Sequence, residues 1–90
     1  MRRVQIVSLL GRLRLPVVDS TPYGITIQRH RASTAPLAFH LERWRIEPCS
    51  GIGRPGEFAL QKLSHGLRLG PFSTLGGLER ALRAWRRWDF

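Results

Sequence analysis

The last quarter of the chain carries the clearest pattern of apolar and polar positions. From residue 75 onward, apolar residues recur at intervals of three and four. They are Leu75, Leu78, Ala81, Leu82, Trp85 and Trp88. This spacing predicts an amphipathic helix over residues 74–88, with its apolar stripe against a core and arginines on the opposite side. Ser73 or Thr74 can cap the first turn, because a hydroxyl there accepts a bond from an unpaired backbone amide.

The middle of the chain alternates apolar and polar residues with the period of β-strands. Residues 23–28 and 37–46 form two such runs, and residues 32–36 between them have the length of a hairpin connection. Two further runs follow, at residues 57–63 and 67–69. The pattern predicts an α+β fold, in which an antiparallel sheet of three to five strands spans residues 23–72 and packs against one C-terminal amphipathic helix.

The run over residues 37–46 has the most apolar residues, so we expect it at the centre of the sheet. Its phase changes, because Trp44 and Ile46 fall on the face opposite Leu41. This change predicts either a bulge or a strand that is covered on both faces. A hairpin through the linker would place Arg43 near Gly24.

The first 20 residues fit two kinds of element. Residues 13–17 alternate, and Val4 and Ile6 can form a matching strand across a turn at Gly11-Arg12, which favours strands. A short helix over residues 3–10 is the alternative. A loop is expected next, at residues 19–22. We therefore expect a single domain of 90 residues whose N-terminal part is a strand or hairpin extension.

The chain is strongly basic, with 15 Lys and Arg against 6 Asp and Glu, a formal net charge of +9 and a pI near 11.7. Fourteen of the fifteen basic residues are Arg, which binds phosphate with two parallel bonds and stacks on flat rings. A GC-rich genome explains the choice of Arg over Lys but not the excess of cations. We therefore expect a nucleic-acid partner, with duplex DNA favoured. The candidate binding residues are Gln28, Arg29, Arg31, Arg43, Arg45, Arg80, Arg83 and Arg87.

The histidines allow an enzymatic alternative, a small ribonuclease in which a histidine transfers a proton and arginines stabilise the developing charge. They are His30, His40 and His65, of which the first two can share an exposed sheet face with Thr26 and Gln28. Paired carboxylates, a serine nucleophile motif and metal-ligand spacing are all missing from the sequence. We therefore favour a non-enzymatic protein without a metal or cofactor.

The end of the chain offers an alternative partner. Trp85 and Trp88 are first of all candidate core residues, but an exposed Trp-Asp-Phe end beside Arg86 and Arg87 would suit a contact with another protein. Under this hypothesis the chain is an inhibitor or adaptor that docks on an acidic protein, or it forms a homodimer. The candidate protein-interaction residues are Trp85, Trp88 and Phe90.

The single cysteine and the short apolar runs favour the cytoplasm. Cys49 has no partner for an internal disulfide, and no stretch approaches the ~20 apolar residues of a membrane span. The basic start at residues 1–3 precedes an apolar run that lacks the cleavage site of a signal peptide. Gly51-Ile52-Gly53-Arg54 lacks the third glycine and the following helix of a phosphate-binding loop. We expect a cytoplasmic protein that does not associate with membranes.

A family resemblance points in the same direction as the charge. Residues 67–74, Leu-Arg-Leu-Gly-Pro-Phe-Ser-Thr, lead into a helix that contains Leu78, Ala81 and Leu82. This junction resembles three-strand-plus-helix DNA-binding domains, such as the plant ethylene-response-factor domain and the arm-type domain of phage integrases. The resemblance implies a sheet that lies in the major groove. The residues implicated in this way are Gln28, Arg29, Arg31, Arg43 and Arg45. The junction is also similar to the sporulation-related peptidoglycan-binding repeat, whose strand ends Gly-Pro-Phe-Ser.

Overall fold

The computed structural model describes residues 1–32, 39–49, 56–64 and 66–90, without the side chains of residues 31, 32, 39 and 40. Five antiparallel strands and two helices occupy these ranges, which confirms the predicted α+β class. The elements are α1 (Arg3–Leu13), β1 (Val17–Thr21), β2 (Gly24–Ala32), β3 (Phe39–Pro48), β4 (Phe58–Lys62), β5 (Arg68–Phe72) and α2 (Leu75–Arg86).

The N-terminal prediction of strands is wrong for residues 3–13, which form α1. Four residues with helical spacing bury one side of this helix, namely Ile6, Leu9, Leu10 and Leu13. Burial on a 3.6-residue period outweighs the short alternation that begins at Leu13. The predicted loop at residues 19–22 is also corrected, because Asp19, Ser20 and Thr21 belong to β1 and pair with β2.

The five strands form one sheet in the order β1-β2-β3-β4-β5, so β3 is central, as its apolar content predicted. The predicted hairpin register between β2 and β3 is wrong. Arg43 lies opposite Gln28 rather than near Gly24, and Ile27 lies opposite Trp44. The register is set by apolar residues of the two strands that meet on the core side, and β2 extends to Ala32 instead of ending in a linker. The rest of the predicted linker, residues 33–36, lies outside the described residues.

The change of phase in β3 is explained neither by a bulge nor by a strand that is covered on both faces. Its pairing with β2 runs without a shift from Phe39 to Ile46, so this stretch contains no bulge. Leu41 is 55% exposed, and Glu42 is the side chain that continues the buried phase of Trp44. An acidic residue therefore occupies a core position in the central strand.

Both helices pack on the same face of the sheet and share one core with it. The core residues are Ile6, Leu9, Leu10, Leu13, Leu15, Ile25, Ile27, Trp44, Ile46, Leu60, Leu78, Leu82 and Trp85. The cap predicted for α2 is confirmed, since the hydroxyl of Thr74 accepts a bond of 3.1 Å from the amide of Gly77. Neither of the two described helices is both long and apolar enough to cross a membrane.

Both helices end in the same way, with a residue in the left-handed conformation. The φ angle is 55° at Arg14, after α1, and 62° at Trp88, after α2. In each case two amides bond back to the last turn; after α2, Trp88 bonds to the Trp85 carbonyl at 3.0 Å and Asp89 to the Ala84 carbonyl at 3.1 Å. This arrangement is the Schellman motif, in which the left-handed position is usually a glycine.

The hairpin of β2 and β3 extends beyond the rest of the sheet. The pairing of β1 with β2 stops at Ile27, and the pairing of β4 with β3 stops at Trp44. Residues 29–32 and 39–42 therefore pair with each other alone in the described registers. We call this two-stranded extension the ribbon.

Candidate nucleic-acid interface

One face of the sheet is covered by the helices, and the other, the open face, is not. Side chains of β2 and β3 alternate between the two faces. The residues that face the helices are Ile25, Ile27 and Arg29 on β2, and Glu42, Trp44 and Ile46 on β3. The open face therefore carries Thr26, Gln28, His30, Leu41, Arg43, Arg45 and Glu47. Three of the predicted binding residues, Gln28, Arg43 and Arg45, share this surface.

Polar side chains on the open face form rows across the strands. Thr26 lies opposite Arg45, which lies opposite Gln61, which lies opposite Arg68. In the next row Arg43 donates to the side-chain oxygen of Gln28 at 3.2 Å. These rows place arginine and amide groups, which donate and accept hydrogen bonds with base edges, side by side on an uncovered sheet.

Sequence reasoning missed Gln61 and Arg68 as members of this surface. Arg68 donates to the side-chain oxygen of Gln61 at 3.2 Å. The sequence contained a signal for both. Arg68 lies between Leu67 and Leu69, and Gln61 is out of phase with Phe58 and Leu60, so both side chains are expected to point away from the core. Alternation within β4 and β5 would have added them to the candidate set.

Glu47 holds two of the open-face arginines. Its carboxylate lies 3.4 Å from Nε of Arg45 and also accepts a hydrogen bond from Arg68. The bond to Glu47 is the largest contribution that raises the pKa of Arg68 above its usual value. The carboxylate thus offsets part of the positive charge of the row, whereas Arg43 contacts the uncharged Gln28.

Arg29 does not belong to the open face, and its assignment as a DNA contact is corrected. It is only 6% exposed and donates to Glu42 through Nε at 3.1 Å and Nη2 at 2.7 Å. Nη1 and Nη2 also donate to the carbonyl oxygens of Trp85 and Phe90. With its donors engaged inside the fold, Arg29 is a structural residue.

Three indole rings surround the guanidinium of Arg29. Its central carbon lies 3.9 Å from the ring centre of Trp88, 5.0 Å from that of Trp85 and 5.4 Å from that of Trp44. A cation near the faces of aromatic rings is attracted by their electron density, and more strongly when water is excluded. These contacts fix the end of α2 to the middle of β2.

Glu42 is the acidic partner in this cluster. Burial alone would raise its pKa, but hydrogen bonds from Trp44, Arg29 and Lys62 outweigh burial and lower the pKa to about 2. The indole of Trp44 donates at 2.9 Å, and Nζ of Lys62 lies 3.2 Å from the second carboxylate oxygen. Glu42 therefore remains ionised at neutral pH although it is buried.

The helix arginines Arg80, Arg83 and Arg87 are exposed on α2, on the far side of the molecule from the open face. Arg83 bonds Glu79 at 3.3 Å, as the i,i+4 spacing predicts, and Arg87 bonds Asp89 at 3.2 Å. The structure therefore does not bring the two groups of predicted binding residues together. The side chain of Arg31 lies outside the described residues.

The predicted protein-interaction end is largely folded onto the core. Trp85 is fully buried, which removes it from the set of surface contacts. Trp88 is half-buried against Arg29, and Phe90, 43% exposed, provides a carbonyl to the same arginine. The buried Arg29 explains this arrangement. Its guanidinium contacts the rings of Trp85 and Trp88 and donates hydrogen bonds to the carbonyls of Trp85 and Phe90.

The features expected of a catalytic or metal site can be located only in part. His30 is exposed on the open face, but the side chain of His40, His65 and the Gly51-Ile52-Gly53-Arg54 segment lie outside the described residues. Within the described ranges, no group of three or more His, Cys, Asp and Glu side chains is placed to hold a metal ion. Comparison with known proteins finds no family model, curated protein or solved structure that matches this chain.

Proposed function

We propose that the protein binds nucleic acid, with duplex DNA as the favoured form, through the open face of the sheet. The observation that supports this proposal is the uncovered sheet face on which Arg43, Arg45 and Arg68 alternate with hydrogen-bonding amides. Guanidinium groups neutralise phosphates and bond base edges, and amide side chains do the latter as well. A non-enzymatic regulatory or accessory protein of this kind needs no further chemical group.

The shape of the hairpin supports the same proposal. The ribbon is continuous with the open face and consists of two antiparallel strands, an element that the major groove of B-DNA can admit. His30 and Leu41 form one of its rungs, and Gln28 and Arg43 lie at its base. A duplex against the open face can therefore receive the ribbon in a groove while the arginine rows contact the backbone.

Fluorescence anisotropy with labelled duplex DNA, single-stranded DNA and RNA, each at low and high salt, tests the proposal. We expect tightest binding to the duplex and an affinity that falls steeply as salt rises, because each neutralised phosphate releases counterions. Flat titrations for all three nucleic acids would overturn the proposal. An acidic protein partner would then be the hypothesis to pursue.

Two matched double variants locate the surface. Arg43→Gln with Arg45→Gln removes two charges from the open face, and Arg80→Gln with Arg87→Gln removes two from the helix side. The first should reduce the slope of log affinity against log salt by about 2, whereas the second should change it little. Equal effects of both variants would contradict the assignment to the open face.

A further inference from the structure

A notch lies where the ends of both helices meet the outer edge of β2. Its volume is about 170 Å³, and it is lined by the α1–β1 connection, by β2 and by the end of α2. The edge of β2 becomes free here, after the carbonyl of Pro16 accepts the amide of Gln28 at 3.1 Å. Gln28 and His30 belong both to the lining and to the open face. The notch therefore adjoins the proposed DNA-binding surface.

The polar groups around the notch are mainly hydrogen-bond donors. Arg14, Arg86 and His30 line it and are exposed, and none of its lining residues is acidic. Arg86 also donates to the Leu13 carbonyl at 2.5 Å. Trp85, another lining residue, has a buried indole N–H that finds no acceptor among the described residues. Cations favour an anionic acceptor, so the exposed guanidinium groups of the lining suit a ligand that bears a phosphate.

The notch also has an aromatic wall. Trp85 is fully buried, whereas Trp88 is half-buried and provides the accessible ring of the lining. Pockets for drug-sized ligands measure about 300–1,000 Å³, so the notch has room for a small group such as one ring system. A single nucleotide combines a flat ring with a phosphate and therefore matches an aromatic wall next to cations.

The notch is lined by both of the left-handed residues that follow the helices. Arg14 and Trp88 are the two non-glycine residues with positive φ in the described part of the chain. Glycine is favoured at such positions because it has no Cβ. Disfavoured backbone conformations concentrate at functional sites. Here they bring a guanidinium and an indole to the same place.

We propose that the notch holds the base of one unpaired nucleotide of a nucleic acid that lies on the open face, with the phosphate of that nucleotide at the exposed rim. Its phosphate bonds Arg14 and His30, and its base packs against Trp88, since bases stack readily on aromatic side chains. This inference rests on the proposed function. It predicts that the protein distinguishes a duplex with an unpaired nucleotide from a fully paired one.

The test compares three duplexes by anisotropy at one salt concentration. The first is blunt, the second carries one unpaired nucleotide at its 3′ or 5′ end, and the third has an abasic residue at that position. The second should bind about tenfold more tightly than the first, and the third should lose most of this gain. Equal affinity for blunt and overhanging duplexes overturns the notch proposal but leaves the proposed function in place. Absence of binding to every duplex overturns the proposed function itself.

The Arg14→Gly variant tests the notch directly. Glycine accepts the φ of 55° at this position, so the variant should fold, which urea unfolding can check. Its preference for the overhang should fall by about threefold to tenfold with the loss of the phosphate contact. Arg12→Ala is the matched control, because it also removes one positive charge, from an exposed residue of α1 that does not line the notch. An equal loss of preference in both variants would overturn the assignment to the notch.

Discussion

Strand β3 carries two carboxylates on opposite faces of the sheet, and each contacts two cationic side chains. The core cluster consists of Glu42, Arg29 and Lys62, with contacts of 2.7 Å and 3.2 Å. The surface cluster consists of Glu47, Arg45 and Arg68, with contacts that include one of 3.4 Å. A carboxylate with two cationic partners is therefore present twice, and the two carboxylates are five positions apart on one strand.

The two clusters differ in their access to water. The side chains of Arg29 and Glu42 are 5% and 8% exposed, whereas those of Arg68 and Glu47 are 45% and 24% exposed. In the core, water cannot take the place of a partner that is removed, while on the surface water replaces a lost partner. The number of arginines alone therefore predicts neither the stability of the fold nor the affinity for DNA. The face of the sheet on which each arginine lies must also be known.

The largest expected effect is the loss of the core arginine. Arg29→Met should lower the free energy of unfolding by about 3–5 kcal/mol, because it leaves the buried Glu42 carboxylate without its main partner. Arg68→Met, the matched change in the surface cluster, should cost less than about 1 kcal/mol. Urea unfolding of both variants provides the measurement. Equal costs would show that the two clusters are energetically alike.

The second-largest effect on the free energy of unfolding is expected when acid protonates Glu42 in the core cluster. The pKa of Glu42 is about 2 in the folded protein against 4.5 for an ordinary glutamate, so ionised Glu42 stabilises the fold above about pH 4.5. This contribution, about 3 kcal/mol, is lost as the pH falls from about 4.5 through 2. Urea unfolding across this range should show the decrease, and Glu42→Gln should show a smaller slope. An unchanged slope in Glu42→Gln would contradict the assignment to this residue.

The surface carboxylate should matter for binding rather than for stability. Glu47→Gln removes the acid that holds Arg45 and Arg68, so affinity for duplex DNA should rise by about threefold to tenfold and the salt slope by about 1. Glu79→Gln on the helix side has the same charge change and serves as the control in anisotropy titrations. If Glu47→Gln weakened binding, its carboxylate would be orienting the arginines instead of competing with phosphate.

The smallest expected effect is at the exposed helix pair. Arg83→Gln removes the 3.3 Å contact with Glu79 and should lower the free energy of unfolding by about 0.3–0.5 kcal/mol. The difference should vanish at high salt, which screens exposed charges. Thermal unfolding at two salt concentrations measures it. A loss comparable to that of Arg29→Met would remove the distinction between buried and exposed pairs.

The elements that the sequence predicted correctly depend on spacing along a short segment. The helix α2, its Thr74 cap and the Glu79–Arg83 pair all follow from residues within one or two turns. The helix α1 was harder to predict, because its apolar residues overlap a stretch that alternates like a strand. Only contact with the core decides between a helix and a strand for this segment.

The core cluster needed a different kind of information. Arg29 continues the alternation of Ile25 and Ile27, and Glu42 continues that of Trp44, so both charged residues already had the phase of buried positions. Their pairing depended on the register, which places Arg29 directly opposite Glu42. A register wrong by a few residues separates them, and Arg29 then has the appearance of one more surface cation.

The ribbon has a consequence for hydrogen exchange. Its amides bond to a single neighbouring strand, so the outer rungs at Arg31 and Ala32 should exchange with solvent by local fraying. The first rung is different, since Arg29 and Glu42 are tied to the carbonyls of Trp85 and Phe90 and to the indole of Trp44. Opening that rung requires release of the end of α2 from the core. Amides at the base of the ribbon should therefore be protected almost as strongly as those of the central sheet, with a sharp decrease in protection only a few residues further along the same two strands.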